Sequence, residues 1–364
     1  MRSVTVRDMD DLALGAAVLG TGGGGDPHIG KLTAAATMRR HGEVALIALD
    51  DLADDDLIIP AAMMGAPTVM VEKLPRGDEI VRAVGGLQEY LGRPIRAITP
   101  IEAGGLNSTT PFIVASHLGL PVVDADGMGR AFPELQMVTM TLHGIAATPM
   151  AIGDEKGNTA ILNTVDNVWA ERIARTMTIQ MGGVAMIALY AMSGAQARGA
   201  LVPGTVSLAI HVGRAIRAAR AQKSDPITAV LGVTGGRRLF TGKIVDVSRR
   251  TERGFARGEA TIHGLDGDDG HDLVIQFQNE NLIALTDGQV VASVPDLITV
   301  LDAETGEPVT TETLRYGFRV VVVGMPCADA WRSEAALALV GPRVFGYDVD
   351  YSPLPASQFT AGLR

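Results

Sequence analysis

The stretch LGTGGGGDPHIGKL, residues 19–32, decides how the first part of the chain is organised. Apolar residues at helical spacing over residues 8–19 predict a helix that ends at Gly20, and Asp26 before a proline predicts the start of a second helix. Consecutive glycines between two helices expose backbone amides and let a ligand come close. We therefore expect this loop to bind substrate, the alternative being a tight connection between helices. The predicted substrate-binding glycines are Gly22, Gly23, Gly24 and Gly25.

Two nucleotide-binding patterns match this stretch by letter only. Gly20, Gly22 and Gly25 satisfy GxGxxG, but that fingerprint follows a strand, whereas a helical pattern precedes it here. The run from Gly25 also satisfies GxxxxGK, but Leu32 stands where a magnesium-binding Ser or Thr belongs. The stretch therefore disfavours nucleotide binding.

Downstream of the glycines, short apolar runs alternate with helical patterns. This alternation predicts an α/β domain with a mostly parallel sheet and helices packed on it. Residues 145–163 look like a hairpin that turns at 154–158. The predicted strands are Val44–Leu49, Leu57–Ala61, Ile95–Ile101 and Leu120–Val123, and the predicted helices between them are Asp78–Leu91 and Thr110–Leu118.

The pattern changes after Gly235, where short strands are separated by Gly and Asp turns. Such spacing is typical of a small all-β barrel or sandwich, so we predict a second, β-rich domain that is barrel-like. The last segment regains α/β character and is expected to pack back on the first domain. The predicted divisions are 1–165 (α/β domain), 166–234 (helical connection), 235–317 (β-rich domain) and 318–364 (return segment).

Composition restricts the partners and the compartment. The chain has 31 basic and 41 acidic residues, a net charge of −10, and no basic block, so we expect neither nucleic-acid nor membrane binding. Cys327 is the single cysteine, and the charged N-terminal sequence lacks the apolar core of a signal peptide, so we expect a cytoplasmic protein. The small residues of 199–221 favour close helix packing, either in a homo-oligomer or inside a monomer.

Polar residues follow the predicted strands, at the edge where parallel sheets bind ligands. Acids, an amide and an arginine brought together there suit proton transfer or metal coordination. Simpler interpretations stay open, because the aspartates could cap a turn and the arginine could pair with the glutamate four residues on. The residues expected in this cleft are Glu102, Asn107, Asp124, Asp126, Arg130 and Glu134.

A metal site and a nucleophile are further candidates. His28 lies next to the glycine run, and with Asp26 and Asp124 it could hold a divalent metal, although Asp26 could equally be a plain helix cap. No HExxH or CxxC spacing supports the metal. Cys327 follows a predicted strand and a Gly-Met-Pro turn, which suits a nucleophile, whereas a buried structural cysteine is the alternative.

Several segments together resemble a bacterial family associated with S-methyl thiohydantoin desulfurase, whose members often accompany hydantoinase or oxoprolinase-type enzymes. The resemblance extends from about residue 8 to residue 355. It implies a three-layer α/β domain with a β-rich second domain. The segments that carry it are LGTGGGGDP, PAAMMGAP, EAGGLNSTTP, PVVDADGMGRAFPELQM, MPCADAW and VGPRVFGYDVDYSPL.

The resemblance also implies a reaction, namely attack of water on C2 of an S-methyl thiohydantoin with loss of methanethiol. Under this hypothesis Asp124 or Asp126 activates water, directly or through a metal, and Glu102 or Glu134 moves protons. Cys327 is the alternative, covalent route. The glycine loop, Asn107 and Arg130 would hold the cyclic amide substrate. Two other functions stay open, an ATP-linked hydantoinase-related subunit and a non-catalytic partner of a hydantoinase-type subunit.

Overall fold

The described part of the protein comprises residues 2–65, 77–252 and 254–355 of a computed structural model. Of the first eleven strands, β6 and β11 pair with each other, and the remaining nine form one sheet. These strands are β1 (Arg2–Val4), β2 (Val44–Ile47), β3 (Leu57–Gly65), β4 (Ala97–Pro100), β5 (Val122–Val123), β6 (Ala125–Asp126), β7 (Met150–Gly153), β8 (Thr159–Leu162), β9 (Val184–Ala188), β10 (Met192–Ser193) and β11 (Val202–Pro203).

The large sheet is mixed, with a parallel core. Its order is β1-β2-β5-β4-β3-β9-β7-β8, with β10 also on β3, and the contiguous strands β2, β5, β4 and β3 are parallel. The core strands are buried on both faces, as is usual for parallel strands. The predicted parallel sheet is thus confirmed for this core, whereas β7, β8 and β9 run antiparallel because β7 and β8 form the predicted hairpin.

Strand β3 is longer than predicted. The prediction placed its end at Ala61, but the strand continues through the PAAMMGAP motif to Gly65. Its second half pairs with β9 from Ala61 to Gly65, so the apolar residues of this stretch are strand residues rather than loop residues. The last two residues of the motif, Ala66 and Pro67, lie outside the described residues.

The helices agree closely with the sequence patterns. Asp78–Leu91 and Thr110–Leu118 were predicted with these bounds, and both are confirmed. The helices are α1 (Asp8–Leu19), α2 (Pro27–His41), α3 (Asp78–Leu91), α4 (Thr110–Leu118), α5 (Thr139–Leu142), α6 (Asn167–Gln180), α7 (Gly194–Ala200), α8 (Thr205–Gln222), α9 (Pro226–Thr234) and α10 (Glu334–Val340).

Small residues allow α1 and α8 to pack with their backbones nearly in contact. A Cβ atom added at Gly15 would lie 1.8 Å from the carbonyl oxygen of Ala209, and one at Gly213 would lie 1.9 Å from that of Asp11. The small-residue face of α8 is therefore used inside the protein. A homo-oligomer remains a prediction.

The second sheet is antiparallel and has the order β16-β15-β14-β13-β12-β18-β17. It confirms the β-rich second domain. Its strands are β12 (Arg237–Glu252), β13 (Phe255–Gly264), β14 (Asp272–Gln278), β15 (Glu280–Thr286), β16 (Gln289–Ser293), β17 (Leu297–Asp302) and β18 (Arg319–Met325).

This second sheet curls into a half-barrel. Its two ends approach each other, because the amide of Asn281 on β15 donates a hydrogen bond to the carbonyl of Ile298 on β17, at 3.0 Å. Strand β18, which begins the predicted return segment, pairs with β12 and β17 and so belongs to this sheet. The chain then reaches the first domain, where the indole of Trp331 donates to the carbonyl of Met128 at 2.6 Å.

Among the described residues, no helix combines the length and the apolar character that crossing a membrane requires.

Candidate active site

A cleft lies where the ends of β3 and β4 meet the glycine loop and the start of β15. Its cavity volume is about 70 Å³, and the cleft opens to solvent. Both domains therefore contribute to its wall. The lining includes Gly24, Gly25, Met63, Glu102, Asn107, Phe132, Glu134, Arg175, Asn279 and Glu280.

Glu102 and Asn107 lie together at the end of β4. The amide nitrogen of Asn107 donates to Oε1 of Glu102 at 2.6 Å. The Asn107 side chain also accepts a hydrogen bond from the backbone N–H of Met63 at 2.8 Å and donates one to the Met63 carbonyl at 3.3 Å. Asn107 is thus fixed between two parallel strands, and it holds the Glu102 carboxyl in one orientation.

The glycine loop docks on the segment that carries Glu102. The carbonyl of Gly24 accepts from the backbone N–H of Leu106 at 2.9 Å. A Cβ atom at Gly24 would lie 2.3 Å from the Cα of Gly104, and the φ angle of Gly24 is +77°. Only glycine satisfies both conditions. The loop therefore serves close backbone approach, and Gly24 and Gly25 form part of the cleft wall.

Glu280, at the start of β15, completes the cleft and was missed by the sequence analysis. Its residue is 3% exposed, and its Oε2 atom has no hydrogen-bond partner in the structure. Gly23 makes room for this carboxyl, since a Cβ atom there would lie 2.0 Å from Oε1 of Glu280. The available signal was a glutamate between two asparagines at the head of an apolar strand.

Burial changes the acidity of both carboxyls. It raises the pKa of Glu102 to about 7, against the opposing effect of the Asn107 hydrogen bond. Burial raises the pKa of Glu280 well above its usual range, and the neighbouring Glu102 raises it further, whereas Arg130 lowers it. Glu280 therefore holds a proton more readily than a free glutamate does, and Glu102, with its pKa near 7, is poised between its two forms at neutral pH.

Comparison with known proteins places this architecture in a family. A model described as the S-Me-THD-like N-terminal domain matches residues 7–164, and one described as the S-Me-THD-like C-terminal domain matches residues 139–354. The chain belongs to the S-Me-THD-like family. It is also similar to a crystal structure of a protein from Chromobacterium violaceum, with 26% identity over 98% of this chain and 100% of that chain and a TM-score of 0.83. A search of curated proteins finds no match.

In this S-Me-THD-like chain, Arg130 joins the two domains rather than pointing into the cleft. It is fully buried, and its guanidinium makes five hydrogen bonds within the protein. Burial lowers its pKa to about 10, so it stays charged at neutral pH near the carboxyls of Glu102 and Glu280. Its partners are the carbonyls of Ala131, Asn281, Pro295 and Asp296 and the hydroxyl of Thr21.

The two candidate aspartates, Asp124 and Asp126, accept hydrogen bonds from backbone N–H groups and are not among the residues that line the cleft. Asp124 accepts from the backbone N–H of Ser207 at 2.9 Å and from its hydroxyl at 2.5 Å, which caps the start of α8. The buried Asp126 accepts from the N–H groups of Met128 and Gly129, at 2.6 and 2.5 Å. Its charge lies near Glu102 and adds to the rise in the pKa of that carboxyl.

The residues suggested as metal ligands are not brought together. Asp26 caps α2, accepting from the backbone N–H groups of His28 and Ile29 at 2.7 and 3.2 Å, and the His28 side chain is exposed. Asp124 is occupied with Ser207. Within the described ranges, no group of three or more His, Cys, Asp or Glu side chains could hold a metal ion.

Glu134, the other acid expected in the cleft, does line it, and its carboxylate accepts a hydrogen bond from the side-chain amide of Gln136 at 2.5 Å.

Cys327 is buried and belongs to the return segment, and its sulfur lies 3.6 Å from the hydroxyl of Tyr351 in the same segment. It is not among the residues that line the cleft. Burial raises the pKa of its thiol to about 11, and the nearby Asp296 adds to this. At neutral pH it is therefore a thiol and not the reactive thiolate.

We expect the Cys327→Ala variant to keep turnover of the substrate proposed below within about threefold of the wild type, because a neutral buried thiol is a poor nucleophile. The measurement is kcat and KM on purified protein, with a thermal melt to record the loss of packing. A loss of turnover in a variant that melts like the wild type would return Cys327 to the mechanism.

Proposed function

We propose that this protein hydrolyses S-methyl thiohydantoins to hydantoins with release of methanethiol. One observation carries the proposal, namely that the carboxyls of Glu102 and Glu280 are both buried against one cleft, where burial raises the pKa of each. Two carboxyls whose environments separate their pKa values are suited to act as base and acid. Membership of the S-Me-THD-like family supports a thiohydantoin as the ring on which they act.

The reaction assigns one role to each carboxyl. Ionised Glu102 takes a proton from water while the water oxygen attacks C2 of the ring. The C2–S bond then breaks, and protonated Glu280 donates its proton to the sulfur, so methanethiol leaves. The second water proton moves from the oxygen to the ring nitrogen, which leaves the C2 carbonyl and a ring N–H. Once Glu102 has released its proton and Glu280 has regained one, water and substrate account for every atom of hydantoin and methanethiol.

The other cleft residues position the ring and the base. Asn107 orients the Glu102 carboxyl and does not bind the ring itself. Its side-chain amide is already hydrogen-bonded to Glu102 and to the backbone of Met63. Met63, Phe132 and Ile187 give the cleft an apolar wall for a flat ring. Such a wall also excludes water other than the attacking molecule.

The direct test is methanethiol release from an S-methyl thiohydantoin by the wild type and by the Glu102→Gln variant. We expect steady release by the wild type and a loss of about 10²-fold or more in the variant, the usual contribution of a general base. Glu304→Gln is the matched control, since Glu304 is an exposed glutamate away from the cleft lining. Absence of release by the wild type contradicts the proposal.

The proposal predicts a bell-shaped pH profile for kcat/KM. Glu102 must be ionised, so the rate rises as the pH passes upward through about 7, the raised pKa of this carboxyl. Glu280 must be protonated, so the rate falls again at higher pH, where that carboxyl ionises. Because the two carboxyls interact, the two apparent pKa values of the profile belong to the pair Glu102 and Glu280 rather than to either residue alone. A profile that is flat between pH 5 and 9 argues against the two roles.

A further inference from the structure

Strand β8 has an open outer edge. It ends the large sheet, and within residues 2–65, 77–252 and 254–355 its only strand partner is β7. The strand and its flanks, residues 157–165, contain no charged residue and no proline. Proteins usually protect a sheet edge with charges, prolines or very short strands, because free N–H and C=O groups pair readily with another strand. The opposite end of the sheet, β1, is three residues long and carries Arg2, so only β8 lacks this protection.

Exposed apolar side chains surround the open edge. Val165, just after β8, is 88% exposed, and Ile161 within the strand is also exposed. Tyr90, near the end of α3, is 56% exposed, and its hydroxyl accepts a hydrogen bond from the side-chain amide of Asn163 at 3.1 Å. Helix α3 and the end of β8 therefore share one surface. Apolar side chains gathered beside an open strand edge are typical of a protein–protein contact.

A groove between α3 and β8 lies beside the edge. Its cavity volume is about 370 Å³, and it shares no lining residue with the cleft. Gly86 lies in the α3 wall of the groove, and no other part of the described chain comes within 4 Å of a Cβ atom added there. The absence of a side chain at Gly86 leaves room for the backbone of another helix to come close.

The charges on the α3 wall are arranged on both sides of Gly86. Arg82 lies four residues before Gly86 and Glu89 three residues after it, and both line the groove. Seven residues of helix separate the two charges by about 10 Å, so they do not pair within one chain. Arg82 forms an ion pair with Asp78, whereas the carboxylate of Glu89 has no hydrogen bond or ion pair among the described side chains. A second α3 that runs antiparallel past Gly86 would bring the Glu89 of each chain towards the Arg82 of the other.

We propose that two copies of this chain associate through β8 and α3 across a two-fold axis. The two β8 strands pair antiparallel, so the two nine-stranded sheets become one continuous sheet, and the two α3 helices cross at Gly86. A two-fold axis requires a surface that is complementary to itself. This surface meets the requirement, because a single rotation satisfies both the strand edge and the charges of Arg82 and Glu89.

The charge distribution also favours a second copy as the occupant. The net charge of −10 opposes association of two chains, and the uncharged segment 157–165 removes that repulsion where the strands meet. Helix α3 packs on β7, β8 and β9, so a partner helix on the continued sheet would lie directly beside it. The inference goes beyond the proposed function, since the groove is separate from the cleft.

Size-exclusion chromatography with light scattering tests the contact at the strand edge. We expect the wild type to have twice the 38.1 kDa mass of one chain. The Ile161→Lys variant should have the mass of one chain, because a charge on an edge strand prevents pairing. Val290→Lys is the matched control, since Val290 is an exposed residue of β16, the end strand of the second sheet, and it should leave the mass unchanged. A wild type with the mass of one chain overturns the proposal, as does an Ile161→Lys variant with the wild-type mass.

Exchanging the charges on α3 tests the two-fold arrangement without altering the sheet. We expect Arg82→Glu and Glu89→Arg each to raise the dimer Kd by about tenfold or more, and the double variant to return it to within about threefold of the wild type. Because the two positions are too far apart to pair in one chain, rescue requires the partner. Hydrogen exchange gives an independent readout, in which the amides of β8 exchange at least about tenfold more slowly in the wild type than in Ile161→Lys. A double variant that is not rescued, or β8 amides that exchange equally fast in both proteins, overturns the proposal.

Discussion

Replacing Glu280 by glutamine is expected to lower methanethiol release by about 10²-fold to 10⁴-fold, the usual range for loss of a general acid. Glutamine has the same shape but no acidic proton, so the leaving sulfur departs without protonation. Oε2 of Glu280 has no hydrogen-bond partner in the structure, so the change loses no hydrogen bond at that atom. The measurement is kcat with the S-methyl thiohydantoin, alongside a thermal melt.

The stability result separates chemistry from structure. A buried carboxyl without a full set of partners does not stabilise a fold, so the Glu280→Gln variant should melt at or above the wild-type temperature. Glu304→Gln should leave both quantities unchanged. Turnover of Glu280→Gln within about threefold of the wild type is incompatible with the role of general acid.

The Gly23→Ala variant is expected to lose about 10²-fold in turnover, because a displacement of about 1 Å in a catalytic group can cost that much. The added methyl group would lie 2.0 Å from Oε1 of Glu280, so the carboxyl must move out of its place in the cleft. Gly23 is not among the glycines with a positive φ angle, so this clash is the main strain. We expect a destabilisation of about 1–3 kcal/mol as well, as for other overpacked sites.

Two variants serve as controls for this steric argument. Gly85 on α3 has no atom within 4 Å of an added Cβ, so Gly85→Ala should keep full turnover and gain stability. In a Glu280→Ala background, Gly23→Ala should cost little further stability, because the atoms it meets have been removed. An equal cost in both backgrounds would place the strain elsewhere.

The parts of the site that depend on local sequence were predictable. Asn107 and Glu102 lie five residues apart in one loop that follows a parallel strand, so their meeting at the sheet edge follows from chain direction alone. The Asp-Pro pair likewise identified the start of α2, where Asp26 accepts two backbone N–H groups. Of the four predicted glycines, Gly24 and Gly25 line the cleft, and substrate binding by the loop stays a prediction.

The parts that depend on the meeting of two domains were not predictable. Glu280 reaches the cleft only because the half-barrel docks on the glycine loop, through hydrogen bonds from Asn281 and Thr311 to the carbonyls of Thr21 and Gly22. No periodicity in the sequence encodes that docking. The same contact explains Arg130, whose charge indicated substrate binding but whose donors are used by carbonyls of the second domain and its own loop.

The measurement that tests the central claim most directly is turnover of an S-methyl thiohydantoin in ¹⁸O-labelled water. We compare the wild type with the Glu102→Gln/Glu280→Gln double variant. The wild type should release methanethiol and place one labelled oxygen on the C2 carbonyl of the hydantoin. The double variant, folded as judged by its thermal melt, should form no hydantoin above the uncatalysed rate. Labelled hydantoin formed by the double variant at a rate near that of the wild type would contradict the account.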